Sequence, residues 1–171
     1  MPFKIVRNDI THVKADVIVN TANLSPIYVS GTDLAVYQAA GADELLSERK
    51  KVGCIKCGDI AVTGAYALNA KYIIHTVGPK YPTENCQLNL AKCYIESLNL
   101  AKKNEIHSIT FPSISTGKFS YPKKEACHIA VQTIKGWLKE NCDYSMKVVF
   151  ACVDPTIYEL IYSELNDAEK E

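Results

Sequence analysis

Short apolar runs alternate with longer amphipathic segments along most of the chain. Runs rich in β-branched and aromatic residues predict six strands, at 3–6, 16–20, 60–63, 72–77, 108–111 and 146–152. Apolar residues at helical spacing predict five helices between and after them, at 32–40, 43–51, 88–102, 123–140 and 155–165.

This alternation predicts an α/β fold with a central, largely parallel sheet covered by helices on both faces. No repeat, low-complexity tract or long linker divides the chain. We therefore expect a single domain over residues 1–166, followed by a polar C-terminal tail at 167–171.

Two of the helices have specific patterns. The helix at 88–102 is expected to bury one apolar stripe, formed by Leu88, Ala91, Ile95, Leu98 and Ala101. At the last helix, Asp154 is a good N-cap and Pro155 a good first helical residue.

Composition and charge narrow the range of partners. The 171 residues include 19 Lys and Arg and 19 Asp and Glu, so the formal net charge is zero. Capture of nucleic acid or an anionic membrane by charge needs a basic surplus or stripe, so neither partner is expected. No apolar run approaches the ~18 residues of a transmembrane helix, and charge interrupts the N-terminus before a signal-peptide core can form. The expectation is a monomer in the cytoplasm.

The cysteines and histidines predict no metal site and no cofactor. Seven cysteines are an odd number, which favours reduced thiols over a disulfide framework. Cys54 and Cys57 have CxxC spacing, but a zinc site needs four ligands and no second close pair is present. Cys93, Cys127 and Cys152 are expected in the core, as is His75, which lies within an apolar run.

Four polar or glycine-bearing segments follow predicted strands or open a helix, which is where ligands bind in such sheets. The first is 8–11, where Asp9 can accept hydrogen bonds from a ligand amino group or simply cap a turn. The second is 20–23, where Asn20 and Asn23 can recognise sugar hydroxyls or tie down their own loop.

The other two segments suit an anion. At 30–33, Ser30 and Gly31 open a helix whose N–H groups can bind an anion, and Asp33 is either a surface acid of the first turn or a carboxylate that positions a water. At 112–119, a Ser/Thr/Gly loop can form a nest for phosphate oxygens. Lys118 can add charge there or point to solvent.

Together these segments resemble the macro domain family, the ADP-ribose-binding module, over about residues 5–165. The resemblance rests on their order and spacing and on further pieces, which are 39–41, 74–79 and 120–122. It implies a three-layer α/β/α fold with a mixed sheet.

The resemblance also implies roles. Asp9 resembles the acid that takes the adenine amino group, with the Ile10 N–H nearby. Asn23 matches the asparagine beside the distal ribose, and Asn20 supports its loop. The first phosphate loop corresponds to Ser30, Gly31 and Thr32, and the second to Ser113, Ile114, Ser115, Thr116, Gly117, Lys118 and Phe119, with Phe119 beside the distal ribose. Asp154 lies where the adenine wall is expected.

The chain departs from the family at two places. Asn8 replaces the glycine that precedes the acid. Hydrolytic members typically have a Gly-Gly-Gly-Val-Asp-Gly-x-Ile-His stretch, whereas here Asp33 is retained, one glycine of the run remains and Tyr37 replaces the histidine. Tyr37 is expected to substitute as a stacking or hydrogen-bonding wall.

The resemblance therefore implies an ADP-ribose-binding protein that hydrolyses ADP-ribose from acidic side chains of modified proteins or from O-acetyl-ADP-ribose. Asp33 and Asn23 are the expected catalytic residues, and the partner is ADP-ribose or a mono-ADP-ribosylated protein. One alternative is a reader that binds without turnover. The other is an RNA-binding module, against which the balanced charge and the lack of a basic, aromatic-interleaved stripe argue.

Overall fold

The computed structural model describes residues 2–167. The strands are β1 Phe3–Arg7, β2 Val17–Thr21, β3 Ile60–Gly64, β4 Tyr72–Thr76, β5 Ser108–Phe111 and β6 Lys147–Cys152. The helices are α1 Gly31–Ala40, α2 Ala42–Val52, α3 Cys86–Lys103, α4 Lys123–Glu140 and α5 Pro155–Asp167. Each matches a predicted element within a few residues, and a short 3-10 turn at Ile10–His12 was not predicted.

The six strands form one sheet in the order β1-β6-β5-β2-β4-β3. All neighbours are parallel except β3, which runs antiparallel to β4. The sheet is therefore mixed and largely parallel, as predicted. Five strands point their carboxyl ends to the same edge, where the chain must leave the sheet in loops.

Helices cover both faces of the sheet, which confirms the three-layer arrangement. Val17 and Val19 face the core that contains α3, α4 and α5. Ile18, between them, faces the second core, which α1 and α2 cover. Because side chains alternate along a strand, Asn20 shares the α1 and α2 side with Ile18. β2 is buried on both faces, since only its last residue is partly exposed.

The buried face of α3 differs from the prediction. Leu88 is 69% exposed and Ile95 37% exposed, although both were assigned to the buried stripe. The buried residues are Leu90, Cys93, Tyr94, Ser97, Leu98 and Ala101. This face was missed because two of its members, Tyr94 and Ser97, are amphipathic or polar. The Ser97 hydroxyl donates to Cys93 O at 2.7 Å and so needs no solvent, and the Tyr94 ring packs on Phe111.

The C-terminal helix begins as predicted. Asp154 Oδ1 accepts from the N–H groups of Thr156 at 2.8 Å and Ile157 at 3.3 Å, and Pro155 is the first helical residue. Asp167, assigned to the polar tail, is the last residue of α5. Residues 168–171, the rest of that predicted tail, lie outside the described residues.

Two further expectations concern the state of the cysteines and the presence of transmembrane helices. All seven cysteines are free, and Cys93, Cys127 and Cys152 are buried. Within residues 2–167, none of the helices combines the length and apolar character needed to cross a membrane.

The corrected face of α3 is tested by the same substitution at two positions in one turn. Leu90→Ala removes a fully buried side chain, so we expect a loss of about 2–5 kcal/mol in the free energy of unfolding. Leu88→Ala is the matched control and is expected to change it by less than about 0.5 kcal/mol. Urea unfolding measures both, and equal losses would contradict the assigned face.

Candidate functional site

A cleft of about 540 Å³ lies at the carboxyl edge of the sheet. It is lined by the segments that follow β1, β2, β5 and β6 and by the first turn of α1. Parallel strands bring these segments together although they are far apart in sequence. Every residue predicted to bind a ligand lines this cleft except Asn20.

Asn20 lies beneath the cleft and is completely buried. Its side-chain amide Nδ2 donates to Asp33 Oδ1 at 2.7 Å and is 3.2 Å from His75 Nδ1. Both N–H groups of the amide are therefore used inside the protein. Asn20 therefore holds Asp33 from beneath the cleft, whereas it was expected to line the ligand site and to support the Asn23 loop.

His75 extends this support across the sheet. If Nδ1 accepts from Asn20, the ring proton lies on Nε2 and can be donated to Thr63 Oγ1, 2.9 Å away. The Thr63 hydroxyl in turn donates to Gly64 O at 3.0 Å. Burial lowers the pKa of His75 to about 3, so the ring stays neutral as this pattern requires. His75 is thus the core histidine that was predicted.

Asp33 is the buried acid of the cleft. Its Oδ1 accepts from Asn20, and its Oδ2 accepts from Asn23 Nδ2 at 3.2 Å. Burial raises the pKa of Asp33 to about 6, against the opposing effects of Asn20, the Arg49 charge and Asn23. The group is therefore mainly ionised at neutral pH. Each carboxylate oxygen has a second lone pair that can accept from a ligand hydroxyl or a water.

Asn23 is oriented by its own loop as well as by Asp33. Its Nδ2 donates to Ile27 O at 2.9 Å in addition to Asp33. With both N–H groups occupied, the amide oxygen Oδ1 is the part that can meet a ligand. Asn23 therefore presents an acceptor, which suits a hydroxyl donor.

Tyr37 does not form a wall of the cleft, contrary to expectation. It is buried, and its ring stacks on Tyr28 with centroids 4.2 Å apart and an interplanar angle of 12°. Burial and the Asp33 charge raise the pKa of Tyr37 to about 12. Tyr28 belongs to the loop that leads from β2 into α1, residues 22–30, which we call the approach loop, and its ring covers one face of the Tyr37 ring.

One end of the cleft presents Asp9. Its Oδ1 accepts from the N–H of Thr11 at 2.9 Å and from the Thr11 hydroxyl at 2.7 Å. Partial burial acts to raise the pKa of Asp9, but the hydrogen bonds from Thr11 and the electrostatic effect of nearby His12 lower it, and the net result is a decrease. Asp9 is thus ionised and fixed, and no described residue donates to its Oδ2. It can accept from a ligand amino group.

Backbone N–H groups line the middle of the cleft. The first turn of α1 starts at Gly31, whose φ of +64° suits glycine. The Ser30 side chain makes no capping hydrogen bond, so the first N–H groups of the helix have no side-chain cap. This is the arrangement that binds anions at helix N-termini.

The loop at 112–119 lies opposite and is held at several points. Ser115 has a left-handed φ of +67°, and its carbonyl accepts from Tyr121 N at 2.9 Å. The hydroxyls of Ser113 and Thr116 share a 2.7 Å hydrogen bond. A left-handed residue within such a loop is the backbone geometry from which anion nests are built.

Two cleft residues were missed as functional candidates, Gly78 and Lys123. Lys123 Nζ lies 2.7 Å from Asp154 Oδ2, and Asp154 Oδ1 caps α5, so both oxygens of this predicted ligand-binding acid are engaged. At Gly78, an added Cβ would lie 2.2 Å from Ser115 Oγ and 2.6 Å from Ile114 Cγ2. The requirement for glycine at this position becomes visible only from the packing between the two loops in the structure.

The residues described hold no group of three or more His, Cys, Asp and Glu side chains able to bind a metal ion. The chemistry of the cleft is that of carboxylates, amides, hydroxyls and backbone N–H groups. These groups can hold an anion and orient a hydroxyl or water.

Comparison with known proteins identifies relatives of the whole chain. The family model for the Macro domain matches residues 19–130. A macro domain-containing protein of Listeria monocytogenes is 42% identical over 99% of both chains. The Xenopus laevis ADP-ribose glycohydrolase MACROD2 is 39% identical over 94% of this chain, which spans only 39% of that longer protein.

A solved structure agrees with these relatives. The Trypanosoma brucei macrodomain in complex with ADP-ribose superposes with a TM-score of 0.89 and 32% identity. The match covers 95% of this chain and 68% of that one.

Gly78 provides a test of the packing between the cleft loops. Gly78→Ala places a methyl group against Ser115 and Ile114, so we expect a loss of about 1–3 kcal/mol in the free energy of unfolding. Gly136→Ala is the control, because no atom approaches its Cβ position and it lies within α4. It is expected to stabilise by up to about 1 kcal/mol. Urea unfolding compares the two, and a Gly78→Ala protein as stable as wild type would contradict the close packing.

Proposed function

The chain belongs to the macro domain family, and on this basis we propose that its cleft binds ADP-ribose and hydrolyses the bond that joins ADP-ribose to a carboxyl or acetyl group. The observation that carries this proposal is the position of Asp33. Its buried carboxylate is held by two amides in the same cleft as two anion-binding backbone segments. The protein-bound substrate is a mono-ADP-ribosylated acidic side chain.

Binding uses different groups along the cleft. The free Oδ2 of Asp9 accepts from the adenine amino group, and the adjacent Ile10 N–H donates to the ring. The diphosphate lies between the first turn of α1 and the 112–119 loop, whose N–H groups balance its charge without a lysine or arginine surplus. Several kcal/mol of binding free energy can come from such charge-assisted hydrogen bonds together.

Hydrolysis takes place at the distal ribose, next to Asn23 and Asp33. Asn23 Oδ1 accepts from a ribose hydroxyl, and the ionised Asp33 accepts from a water or from a second hydroxyl. The ester bond to the ribose breaks, and the elements of water are divided between the two products: ADP-ribose carries a hydroxyl and the released acid a proton. Orientation of the reacting groups lowers the barrier, because less freedom is lost when the bond breaks.

A second candidate is a reader that binds ADP-ribose without turnover. The observation that favours it is Tyr37, which stands where hydrolytic members typically have a histidine and which is buried against Tyr28. The cleft can bind without this residue. Turnover in a purified sample decides between the two functions.

The adenine contact is tested by calorimetry with ADP-ribose. Asp9→Asn removes the charge that accepts the amino group, and we expect about tenfold weaker binding, equal to ~1.4 kcal/mol. Asp59→Asn is the matched control, because Asp59 pairs with Lys92 outside the cleft. It should leave the affinity unchanged. If wild type, Asp9→Asn and Asp59→Asn bound ADP-ribose with equal affinity, Asp9 would not be part of the binding site.

Hydrolysis is tested on O-acetyl-ADP-ribose as a function of pH. Because the required form of Asp33 is the carboxylate and its pKa is about 6, kcat/KM should fall about tenfold per pH unit below 6 and level off above it. Asp33→Ala should lose about 10²–10⁴-fold in rate while calorimetry still detects bound ADP-ribose. Binding without any turnover in wild type would establish the reader instead.

A further inference from the structure

Arg49 is a buried arginine that the sequence pattern did not mark. It lies in the last turn of α2 and is 1% exposed, whereas its neighbours Lys50 and Lys51 are exposed. Asp33 is 5% exposed. Within residues 2–167, these are the two buried side chains that carry a formal charge at neutral pH.

The Arg49 guanidinium is bound to main-chain carbonyls. Nη2 donates to Asn23 O at 3.0 Å and to Leu24 O at 3.2 Å, and Nη1 donates to Gly53 O. The planar fork thus joins the end of α2 to the loop after β2. Asn23 is held from both sides, because its main chain accepts from Arg49 and its side chain donates to Asp33.

No carboxylate of the described residues forms a salt bridge with Arg49. Burial of a charge without an opposite charge nearby is costly, and removing one member of a buried pair is strongly destabilising. Three carbonyl dipoles offset part of that cost. The Asp33 carboxylate, which shares Asn23 with it, offsets a further part.

The other titratable groups around Asp33 are uncharged at neutral pH. Tyr37, on the same helix, has its pKa raised to about 12 by burial and by Asp33 itself, and it stacks on Tyr28 of the approach loop. His75, on β4, has its pKa lowered to about 3 by burial and by Arg49. The Arg49 charge opposes the effect of burial on the Asp33 pKa.

We propose that Arg49 is a positioning residue of the cleft, which fixes the Asn23 loop through two main-chain carbonyls and supplies a buried positive charge that favours the carboxylate form of Asp33, with which it shares Asn23. It acts through Asn23 and Asp33 and touches no ligand, since it does not line the cleft. The consequence for hydrolysis rests on the proposed function. The consequence for the Asp33 carboxyl does not, and can be measured without any ligand.

The test compares Arg49→Gln with Arg49→Lys. Glutamine keeps two N–H donors but no charge, whereas lysine keeps the charge but not the fork. Carboxyl ¹³C NMR titration of the ligand-free proteins follows the Asp33 resonance, which is assigned by its loss in Asp33→Ala. We expect the Asp33 midpoint to rise by about one unit in Arg49→Gln and to stay within about 0.3 units of wild type in Arg49→Lys. Arg49→Met, which keeps an unbranched apolar stem, is a second neutral variant if Arg49→Gln does not fold.

The pH profile of O-acetyl-ADP-ribose hydrolysis gives a second readout. Arg49→Gln and Arg49→Lys should both lower kcat, because the Asn23 loop loses a contact. Only Arg49→Gln, which is neutral, should shift the acidic limb of the pH profile to higher pH. Equal midpoints in the neutral and lysine variants would overturn the role of the charge. If wild type shows no hydrolysis, the proposed function fails while the titration still decides the role of Arg49.

Discussion

The cleft depends on one constraint, which is that an ionised carboxylate must be held out of water. Asp33 lies at the start of α1, and burial alone would favour its neutral form. Asn20 from β2 and Asn23 from the following loop each donate to one of its oxygens. His75 and Arg49 hold these two asparagines in turn. The neutral ring of His75 accepts the second N–H of Asn20, and Arg49, whose charge is opposite to that of Asp33, donates to the main chain of Asn23. Elements on both sides of the loop after β2 are thereby tied to one carboxylate.

The same architecture explains how a protein whose formal net charge is zero can accommodate an anionic ligand. The five strands that run parallel end at one edge, and the cleft there is lined by the segments that follow them and by the first turn of α1, whose first N–H dipoles have no side-chain cap. These dipoles are part of the backbone, so they add nothing to the formal charge, which is zero. Close packing of Gly78 against Ser115 and Ile114 sets the position of the 112–119 loop. A zero net charge therefore disfavours non-specific binding of polyanions, but it is compatible with a local site for a diphosphate.

The chain departs from the family pattern at Asn8, after β1, and in the stretch that opens α1 and ends at Tyr37. The approach loop carries Tyr28, which stacks on Tyr37 and takes it out of reach of a ligand. Asn23, Asp33 and the loop at 112–119 match the family pattern, and each lines the cleft. The proposed binding of ADP-ribose uses these residues. The proposed hydrolysis at the distal ribose uses Asp33, Asn23 and a water, because Tyr37 is buried and does not line the cleft.

The sequence by itself determined the order of strands and helices, the mixed α/β class implied by the family resemblance, and the segments that meet in the cleft. The order of the elements and the position of these segments after strands or at a helix start follow from local periodicity, whereas the mixed sheet was implied only by the resemblance. The tertiary structure decided which way particular side chains point. It placed Asn20 beneath the cleft, turned Tyr37 onto Tyr28, exposed Leu88 instead of Leu90, and buried Arg49. Three of these depend on partners 9 to 55 residues away, which are His75 for Asn20, Tyr28 for Tyr37 and Asn23 for Arg49. The buried amide of Asn20 and the buried guanidinium of Arg49 donate to groups that are far away in the sequence, and a local pattern does not identify such partners.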